Sequence, residues 1–246
     1  LQDTDLTVNE DGIITDCSYD FANKDITIPD IVNGITVTGI ANVNVFGTAK
    51  IFCEKGITNV NLPSGIKTIG NYAFWVNDLT SVSLPDGLEQ IGENAFSGND
   101  FSFTEVDIPN TVTFIGKYAF TNNGIDSIIL PTVPVAGFLG WVDNNGGEFA
   151  GGTKVKYTGN EYRAKIEYTL QDDDVEISAD GLITSCSYNF AYTDIIIPDT
   201  LDGITVKGVE NKSWNGVFDD KGITSLKLPN TMLHIGDNAF TDNELK

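Results

Sequence analysis

The single histidine of the chain, His234, is the first residue to test for chemistry, because an unshifted imidazole can act as a base near neutral pH. It lies in LPNTMLHIGDNAF (228–240), a stretch with three other copies: LPSGIKTIGNYAF (62–74), LPDGLEQIGENAF (84–96) and IPNTVTFIGKYAF (108–120). The positions equivalent to His234 are Thr68, Gln90 and Phe114. A catalytic base is not expected at a position that accepts phenylalanine, so we predict no Ser-His-Asp centre and no enzyme.

Three further segments carry groups that bind phosphate or metal ions in other proteins. GGEFAGGTK (146–154) is rich in glycine, but its order is Gly-Thr-Lys and it contains Glu148, so we predict two hairpin turns. DDD (172–174) and DNN (143–145) offer the oxygen ligands of Ca²⁺, yet neither has the spacing of a calcium loop. We therefore predict solvated acidic turns, no metal site and no cofactor. No two carboxylates are singled out as a glycosidase pair.

The composition narrows the class of partner. The 246 residues carry a net charge of -21, which repels nucleic-acid phosphates and anionic lipid headgroups. The hydrophobic content of 41% is typical of a folded protein, and no apolar run is long enough for membrane insertion. Cys17, Cys53 and Cys186 are too few for a disulfide scaffold. We expect buried thiols, with a Cys17–Cys53 bridge as the alternative.

The recurring stretch predicts a solenoid. Its full unit, best seen in LTSVSLPDGLEQIGENAF (79–96), returns at steps of a little over twenty residues and contains an alternating segment, TSVSL, that is typical of a half-buried strand. One such strand cannot bury its inner face alone, so copies must stack. We expect the prolines to end the strands, the glycines of the I-G step to allow a tight bend, and Phe74, Phe96 and Phe120 to form an inward aromatic column.

A longer duplication sets the predicted domains. CSYDFANKDITIPDIVNGITVTGI (17–40) matches CSYNFAYTDIIIPDTLDGITVKGV (186–209), and GITNVNLP (56–63) matches GITSLKLP (222–229). We predict a first repeat block at 1–131, an insert at 132–168, and a second block at 169–246 that is a truncated copy of 1–80. The fold class is mainly β, a solenoid of short stacked strands with few or short helices.

The unit x-x-I-x-L-P-x-x-V-x-x-I-G-x-x-A-F resembles the BspA-type leucine-rich repeat, also called the Treponema-type repeat. The preceding segment DGIITDCSYDFANKDITIPDIVNGITVTGI (11–40) resembles the usual opening of that family, so the likeness covers about two thirds of the chain. Members of the family are surface or secreted proteins of bacteria and protists, and some are adhesins. The resemblance implies an extracellular or cell-surface location and an extracellular protein ligand.

The insert has a different pattern. TVPVAGFLGWVDNNGGEFAGGTKVKYTGNEYRAKIEY (132–168) lacks the I-G-x-x-A-F step, and its DNNGG segment is typical of a hairpin turn. It resembles the second half of the Listeria–Bacteroides repeat, the internalin-type B-repeat, which implies a small antiparallel, half β-grasp-like module. We expect its strands to pack on the adjoining coils, with Trp141 as the anchor.

Function is expected at the positions whose residue type varies between copies and whose side chains point outward. The predicted partner-binding stripe consists of Lys67, Glu89, Gln90, Phe114, Glu105, Asp107, Lys227 and His234. Phe114 is a large apolar residue at an outward position, which indicates either ligand contact or packing under a neighbouring loop. The favoured function is a non-catalytic protein-binding or adhesion module. The alternatives are a structural spacer that presents another domain and a carbohydrate-binding accessory module, in which Trp75, Trp141 and Trp214 could stack on sugars if they are exposed.

Overall fold

The computed structural model describes residues 1–45, 50–212 and 215–245, and it divides into two compact units. The first unit contains Leu1–Pro134 and Gly140–Ala164, and the second contains Val135–Leu139 and Lys165–Lys246. The domain boundaries at 131/132 and 168/169 stay a prediction. The predicted fold class, a mainly β solenoid with few or short helices, is confirmed.

The described residues form short strands and two 3-10 helices, η1 (Asp3–Asp5) and η2 (Asp172–Asp174). The strands up to the end of the insert are β1 (Leu6–Val8), β2 (Ile13–Cys17), β3 (Asp25–Thr27), β4 (Ile31–Val32), β5 (Ile35–Thr36), β6 (Gly39–Ile40), β7 (Asn59–Asn61), β8 (Thr68–Ile69), β9 (Gln90–Ile91), β10 (Glu105–Val106), β11 (Phe114–Ile115), β12 (Ser127–Leu130), β13 (Phe138–Asp143), β14 (Glu148–Phe149), β15 (Thr153–Lys156) and β16 (Tyr162–Thr169). The remaining strands are β17 (Val175–Ile177), β18 (Leu182–Cys186), β19 (Asp194–Ile196), β20 (Thr200–Leu201), β21 (Ile204–Thr205), β22 (Gly208–Val209), β23 (Ser225–Lys227) and β24 (His234–Ile235).

The first unit contains a continuous parallel ladder, with one short strand contributed by each coil. Strands β2, β6, β8, β9 and β11 follow one another in register, and Ile40, Ile69, Ile91 and Ile115 form a buried column behind them. A second side of the coils carries the parallel pairs β3–β7 and β10–β12. Because each coil covers the apolar side of its neighbour, the core runs along the stack of coils.

Four phenylalanines form the centre of this core. Phe52, Phe74, Phe96 and Phe120 are almost fully buried, and their rings are parallel with centroids 5.4 to 5.5 Å apart. We call these four residues the phenylalanine stack. The predicted column of Phe74, Phe96 and Phe120 is confirmed. Phe52 extends it although its own segment, KIFC (50–53), lacks the I-G-x-x-A step.

One local expectation was wrong. The segment 81–84 of TSVSL has no regular strand, and the regular strand of that repeat copy is Gln90–Ile91 instead. The recurring glycine does precede a turn, as expected, but glycine is required there for a further reason. A Cβ at Gly92 would lie 2.5 Å from the backbone nitrogen of Asn71, so glycine is required because the neighbouring coil is so close. The positive φ falls two residues later, at Asn94 (52°).

A ladder of three asparagines, each three residues after Phe74, Phe96 or Phe120, satisfies backbone groups inside the first unit. Asn99 is 4% exposed; its Nδ2 donates to the carbonyl oxygens of Phe74 and Phe96, and its Oδ1 accepts from the backbone nitrogen of Leu79. Asn77 and Asn123 make equivalent bonds one coil away on either side. These side chains replace the strand hydrogen bonds that such tight corners cannot form.

Strands of the insert close one end of the first unit. β15 pairs antiparallel with β12, and Tyr162 and Arg163 of β16 pair antiparallel with β11. The hydroxyl of the buried Tyr157 accepts a hydrogen bond of 3.0 Å from the backbone nitrogen of Phe120. Trp141 is 1% exposed and its Nε1 donates to the carbonyl oxygen of Pro131 at 2.8 Å. The expected packing of the insert on the coils, with Trp141 as anchor, is confirmed, whereas its relation to a B-repeat stays a prediction.

The second unit repeats the first part of this arrangement. β17 pairs antiparallel with β18, and β18, β22 and β24 form a parallel ladder. Residues 167–169 of β16, β19 and β23 form a second parallel set. Phe218 and Phe240 stack with centroids 5.1 Å apart, as Phe52 and Phe74 do in the first unit. The sequence duplication is therefore also a structural one.

Candidate functional site

The ladder of the first unit has a groove on its outer face. Thr68, Gln90 and Phe114 stand in register on the neighbouring strands β8, β9 and β11, and they line one side of a depression of about 340 Å³. The remaining lining residues are Ile13, Ile40, Ala41, Asn42, Ile69, Gly70, Asn71 and Gly92. We call this depression the ladder groove.

Two asparagines present amide donors to the ladder groove. The Oδ1 atom of Asn42 accepts a 2.7 Å hydrogen bond from the backbone nitrogen of Asn71, and the Oδ1 atom of Asn71 accepts a 2.8 Å bond from the backbone nitrogen of Glu93. These bonds fix the orientation of both amides. Neither Nδ2 atom donates a hydrogen bond within residues 1–45, 50–212 and 215–245, so both remain available to a ligand.

Phe114 forms the aromatic wall of the groove and is only half-buried. The guanidinium of Arg163, on the antiparallel strand of the insert, lies 5.2 Å from its ring centroid, and Arg163 is also 3.3 Å from the carboxylate of Glu161. The cation supports the ring from one side. The ring therefore packs against the insert and also borders the groove, whereas its contact with a ligand stays a prediction.

The other stripe residues fall into three groups. Lys67 and Glu89 form an exposed ion pair of 3.0 Å on neighbouring coils beside the groove. Glu105 and Asp107 belong to the coil side that carries β10 and β12. Lys227 and His234 are in the second unit, on β23 and β24. Within the first unit, the structure brings Lys67, Glu89, Gln90 and Phe114 together and leaves Glu105 and Asp107 on another side of the coils.

Charge pairing differs between these surfaces. Glu105 is paired with Lys154 of the insert and accepts a hydrogen bond from the Ser127 hydroxyl, and the lysine lowers the pKa of that carboxyl. Lys227 is paired with Glu167 in the second unit. Asp107 is exposed. Exposed pairs of this kind contribute little to stability, which leaves their side chains free to exchange partners.

The segments considered for metal or phosphate chemistry are used by the fold. Residues 146–154 contain strand β14 and the start of β15, in agreement with the predicted hairpin turns. Asp143 accepts bonds from the backbone nitrogens of Asn145 and Gly147, and Asp174 from that of Gln171. Within the described residues, no three His, Cys, Asp or Glu side chains converge as a metal site would require.

The cysteines and tryptophans have structural environments. Cys17, Cys53 and Cys186 are free thiols, and burial raises the pKa of the Cys53 thiol to about 11. Trp141 is buried and therefore cannot stack on a sugar, contrary to the carbohydrate hypothesis. Trp75 is half-buried and contacts Tyr72 edge-on at 5.8 Å. Trp214 lies outside the described residues.

The ladder groove was only partly visible in the sequence. Gln90 and Phe114 were predicted as outward residues, whereas Asn42 and Asn71 were missed. A signal for Asn71 exists in the I-G-N order of TIGNYAF, where an amide directly follows the glycine of the close approach. Asn42 follows GIA rather than IG, so it could be aligned only through the register of β6 and β8.

Comparison with known proteins assigns the repeats. Residues 48–135 and 211–246, half of the chain, match the BspA type leucine rich repeat region in six copies. A solved leucine-rich repeat protein from Bacteroides ovatus ATCC 8483 is 18% identical, with a TM-score of 0.34 over 98% of this chain and 80% of the other. At that score the likeness adds nothing to the assignment. None of the curated proteins matches the chain.

Proposed function

Because the chain belongs to the BspA-type leucine-rich repeat family, we propose that it is a non-catalytic module that binds an extracellular protein through the exposed strand face of its first unit. Repeats of this family point to protein interaction, since stacked coils present an extended outer surface. The single observation that carries the proposal is the separation of roles within each coil. Residue types that recur point inward, as the phenylalanine stack does, while types that vary point outward.

The charged part of the stripe is the proposed contact for protein. The side chains of Lys67 and Glu89 are 60% and 47% exposed, so their ion pair can open toward a partner without exposing any buried group. Charge arrays of this kind set the specificity and association rate of protein complexes. Glu105, Asp107, Lys227 and His234 would provide further contacts on other parts of the chain.

The proposed location is extracellular or at the cell surface, as is usual for the family. The net charge of -21 favours a partner with a basic surface patch. In the part of the chain that the structure describes, no helix has the length and hydropathy of a membrane span.

A binding survey of extracellular-matrix proteins by surface plasmon resonance tests the proposal. For any protein that binds, we expect the charge-reversing double variant Lys67→Glu, Glu89→Lys to weaken association by about tenfold at low salt, and much less at high salt. The matched control reverses two exposed residues of the second unit, Lys207→Glu and Glu176→Lys.

Two results would count against the proposal. If a protein binds the Lys67→Glu, Glu89→Lys variant as tightly as the unchanged chain, the contact lies elsewhere. A complete lack of binders across a broad survey favours the structural spacer, which needs no recognition surface.

A further inference from the structure

The ladder groove is uncharged in a chain that is strongly acidic. Charged residues make up 20% of the sequence and the net charge is -21, yet none of the residues that line the groove is charged. A concave site for a charged ligand would be expected to have at least one complementary charge. The lining therefore suits a neutral ligand that binds through hydrogen bonds and apolar contact.

The polar groups of the groove are placed in a repeating way. Asn42 and Asn71 occupy equivalent positions on neighbouring coils, and neither Nδ2 atom donates to another described residue. Gln90 adds a third amide on the next coil, at a different repeat position that is level with Thr68. Neighbouring strands are about 4.8 Å apart, so amides on successive coils can meet hydroxyl groups on successive sugars of an extended glycan.

The apolar wall completes a sugar-binding arrangement. Phe114 borders one end of the groove and is held by Arg163 at 5.2 Å, so a C–H face of a sugar can lie against a pre-oriented ring. A peptide would find few apolar pockets for its side chains here, because the lining isoleucines Ile40 and Ile69 are buried in the core.

We propose that the ladder groove binds a neutral, extended glycan, with Asn42, Asn71 and Gln90 donating hydrogen bonds to its hydroxyl groups and Phe114 stacking on one sugar ring. This site goes beyond the protein contact at Lys67 and Glu89. It also moves the carbohydrate hypothesis from the tryptophans to the first-unit ladder.

The duplication supplies an internal comparison. In the second unit, Asn211 matches Asn42 and likewise accepts a hydrogen bond from the coil that follows it. The counterparts of Ala41 and Asn71 are Glu210 and Asp237, so carboxylates stand where the groove has a methyl group and an amide. The ligand site is therefore expected in the first unit alone.

The test is a titration of the whole chain with neutral tetrasaccharides of glucose, xylose and mannose, followed by isothermal calorimetry. We expect at least one series to bind, and Gln90→Ala and Phe114→Leu each to weaken binding by about fivefold. Lys207→Ala, at an exposed position of the second unit outside the stripe, is the control and should leave the affinity unchanged. Circular dichroism verifies that each variant is folded; the Gln90 side chain is exposed, so that variant keeps the core intact.

Several results would overturn the proposal. One is the lack of binding by every neutral series at millimolar concentration. Another is binding that the Gln90 and Phe114 variants leave unchanged, or that acidic oligosaccharides match. A third is loss of tetrasaccharide affinity in the Lys67→Glu, Glu89→Lys variant, which would show that the two surfaces are one site. Failure of the glycan titration leaves the protein survey unaffected, so the two proposals can fail separately.

Discussion

The phenylalanine stack makes a quantitative prediction for Phe96→Ala. Phe96 has no exposed surface, and its ring lies 5.5 Å from that of Phe74 and 5.5 Å from that of Phe120. It also contacts the ring of Phe101 at 6.3 Å. Truncation therefore removes the middle member of a stack and leaves a cavity with rigid walls on two sides.

The expected magnitude follows from these contacts. Replacing a buried phenylalanine with alanine costs about 3 to 5 kcal/mol, and each aromatic pair adds about 1 kcal/mol beyond the buried area. Because the walls are rings of neighbouring coils, which the parallel ladder holds in place, the cavity cannot collapse fully. We expect a loss near the upper limit, about 5 kcal/mol in the free energy of unfolding. This is a large part of the total stability of a typical domain.

Urea denaturation followed by circular dichroism measures the loss. The matched control is Phe103→Ala, which removes a half-buried ring; within the described part of the chain its aromatic partner is Phe101, at 5.0 Å. We expect the control to lose about 1 to 2 kcal/mol. A Phe96→Ala loss of less than about 2 kcal/mol, or one equal to that of the control, would refute the reasoning that the stack is the centre of the core.

Three further predictions concern the close coil contact, the asparagine ladder and a buried thiol. Gly92→Ala should lower the free energy of unfolding by more than about 3 kcal/mol, because its Cβ would lie 2.5 Å from the backbone of the neighbouring coil. The control Gly87→Ala should be near neutral in the same urea assay, because its Cβ would have no neighbour nearer than 3.8 Å. Asn99→Ala should lower the free energy of unfolding by about 3 kcal/mol, because three buried backbone groups lose their hydrogen-bond partners. The control Asn110→Ala, at an exposed position, should lower it by less than about 0.5 kcal/mol. Equal losses for the two variants would contradict the asparagine ladder. Burial raises the pKa of Cys53 from 9.0 to about 11, so its stabilising contribution is complete below pH 9 and is lost as pH rises toward 11, by up to about 1.4 kcal/mol per pH unit. Urea titrations between pH 8 and pH 11 should show a flatter decline for Cys53→Ala than for the natural chain, and identical declines would contradict it.

The sequence predicted those parts of the fold in which a recurring large apolar side chain has to be buried. A column of phenylalanines at a constant step has one arrangement that buries every ring, and the structure has it at Phe74, Phe96 and Phe120. Trp141 was predicted as the packing anchor of the insert, and the structure buries it there. The duplication was equally direct, since matching sequences place Phe218 and Phe240 as Phe52 and Phe74 are placed.

Other parts depend on distances between coils, which a single sequence does not contain. The segment TSVSL alternates as a strand does, yet residues 81–84 bend away from regular pairing, and the ladder runs through Gln90–Ile91. The need for Gly92 arises from the nearness of Asn71, not from its own conformation. The closing role of Tyr157 depends on the backbone nitrogen of Phe120, which is far away in sequence.

The candidate site was predictable to a similar degree. Outward positions follow from the repeat, so Gln90 and Phe114 were found without a structure. The partnership of Phe114 with Arg163 depends on an antiparallel pairing between a coil and the insert, and no local pattern signals it. The amides of Asn42 and Asn71 have the composition of ordinary turn residues, and only the register of neighbouring coils places them in one groove.

A double-mutant cycle on the phenylalanine stack tests the central claim most directly, because it measures which rings are neighbours in solution. The cycle compares Phe74→Leu with Phe96→Leu, and separately Phe74→Leu with Phe120→Leu, by the free energy of unfolding in urea. The stacked coils predict a coupling of about 1 kcal/mol for Phe74 and Phe96, whose rings are 5.5 Å apart, and a coupling below about 0.3 kcal/mol for Phe74 and Phe120, which are separated by the ring between them. Equal couplings for the two pairs, or no coupling between Phe74 and Phe96, would contradict the stack and the outward binding faces that depend on it.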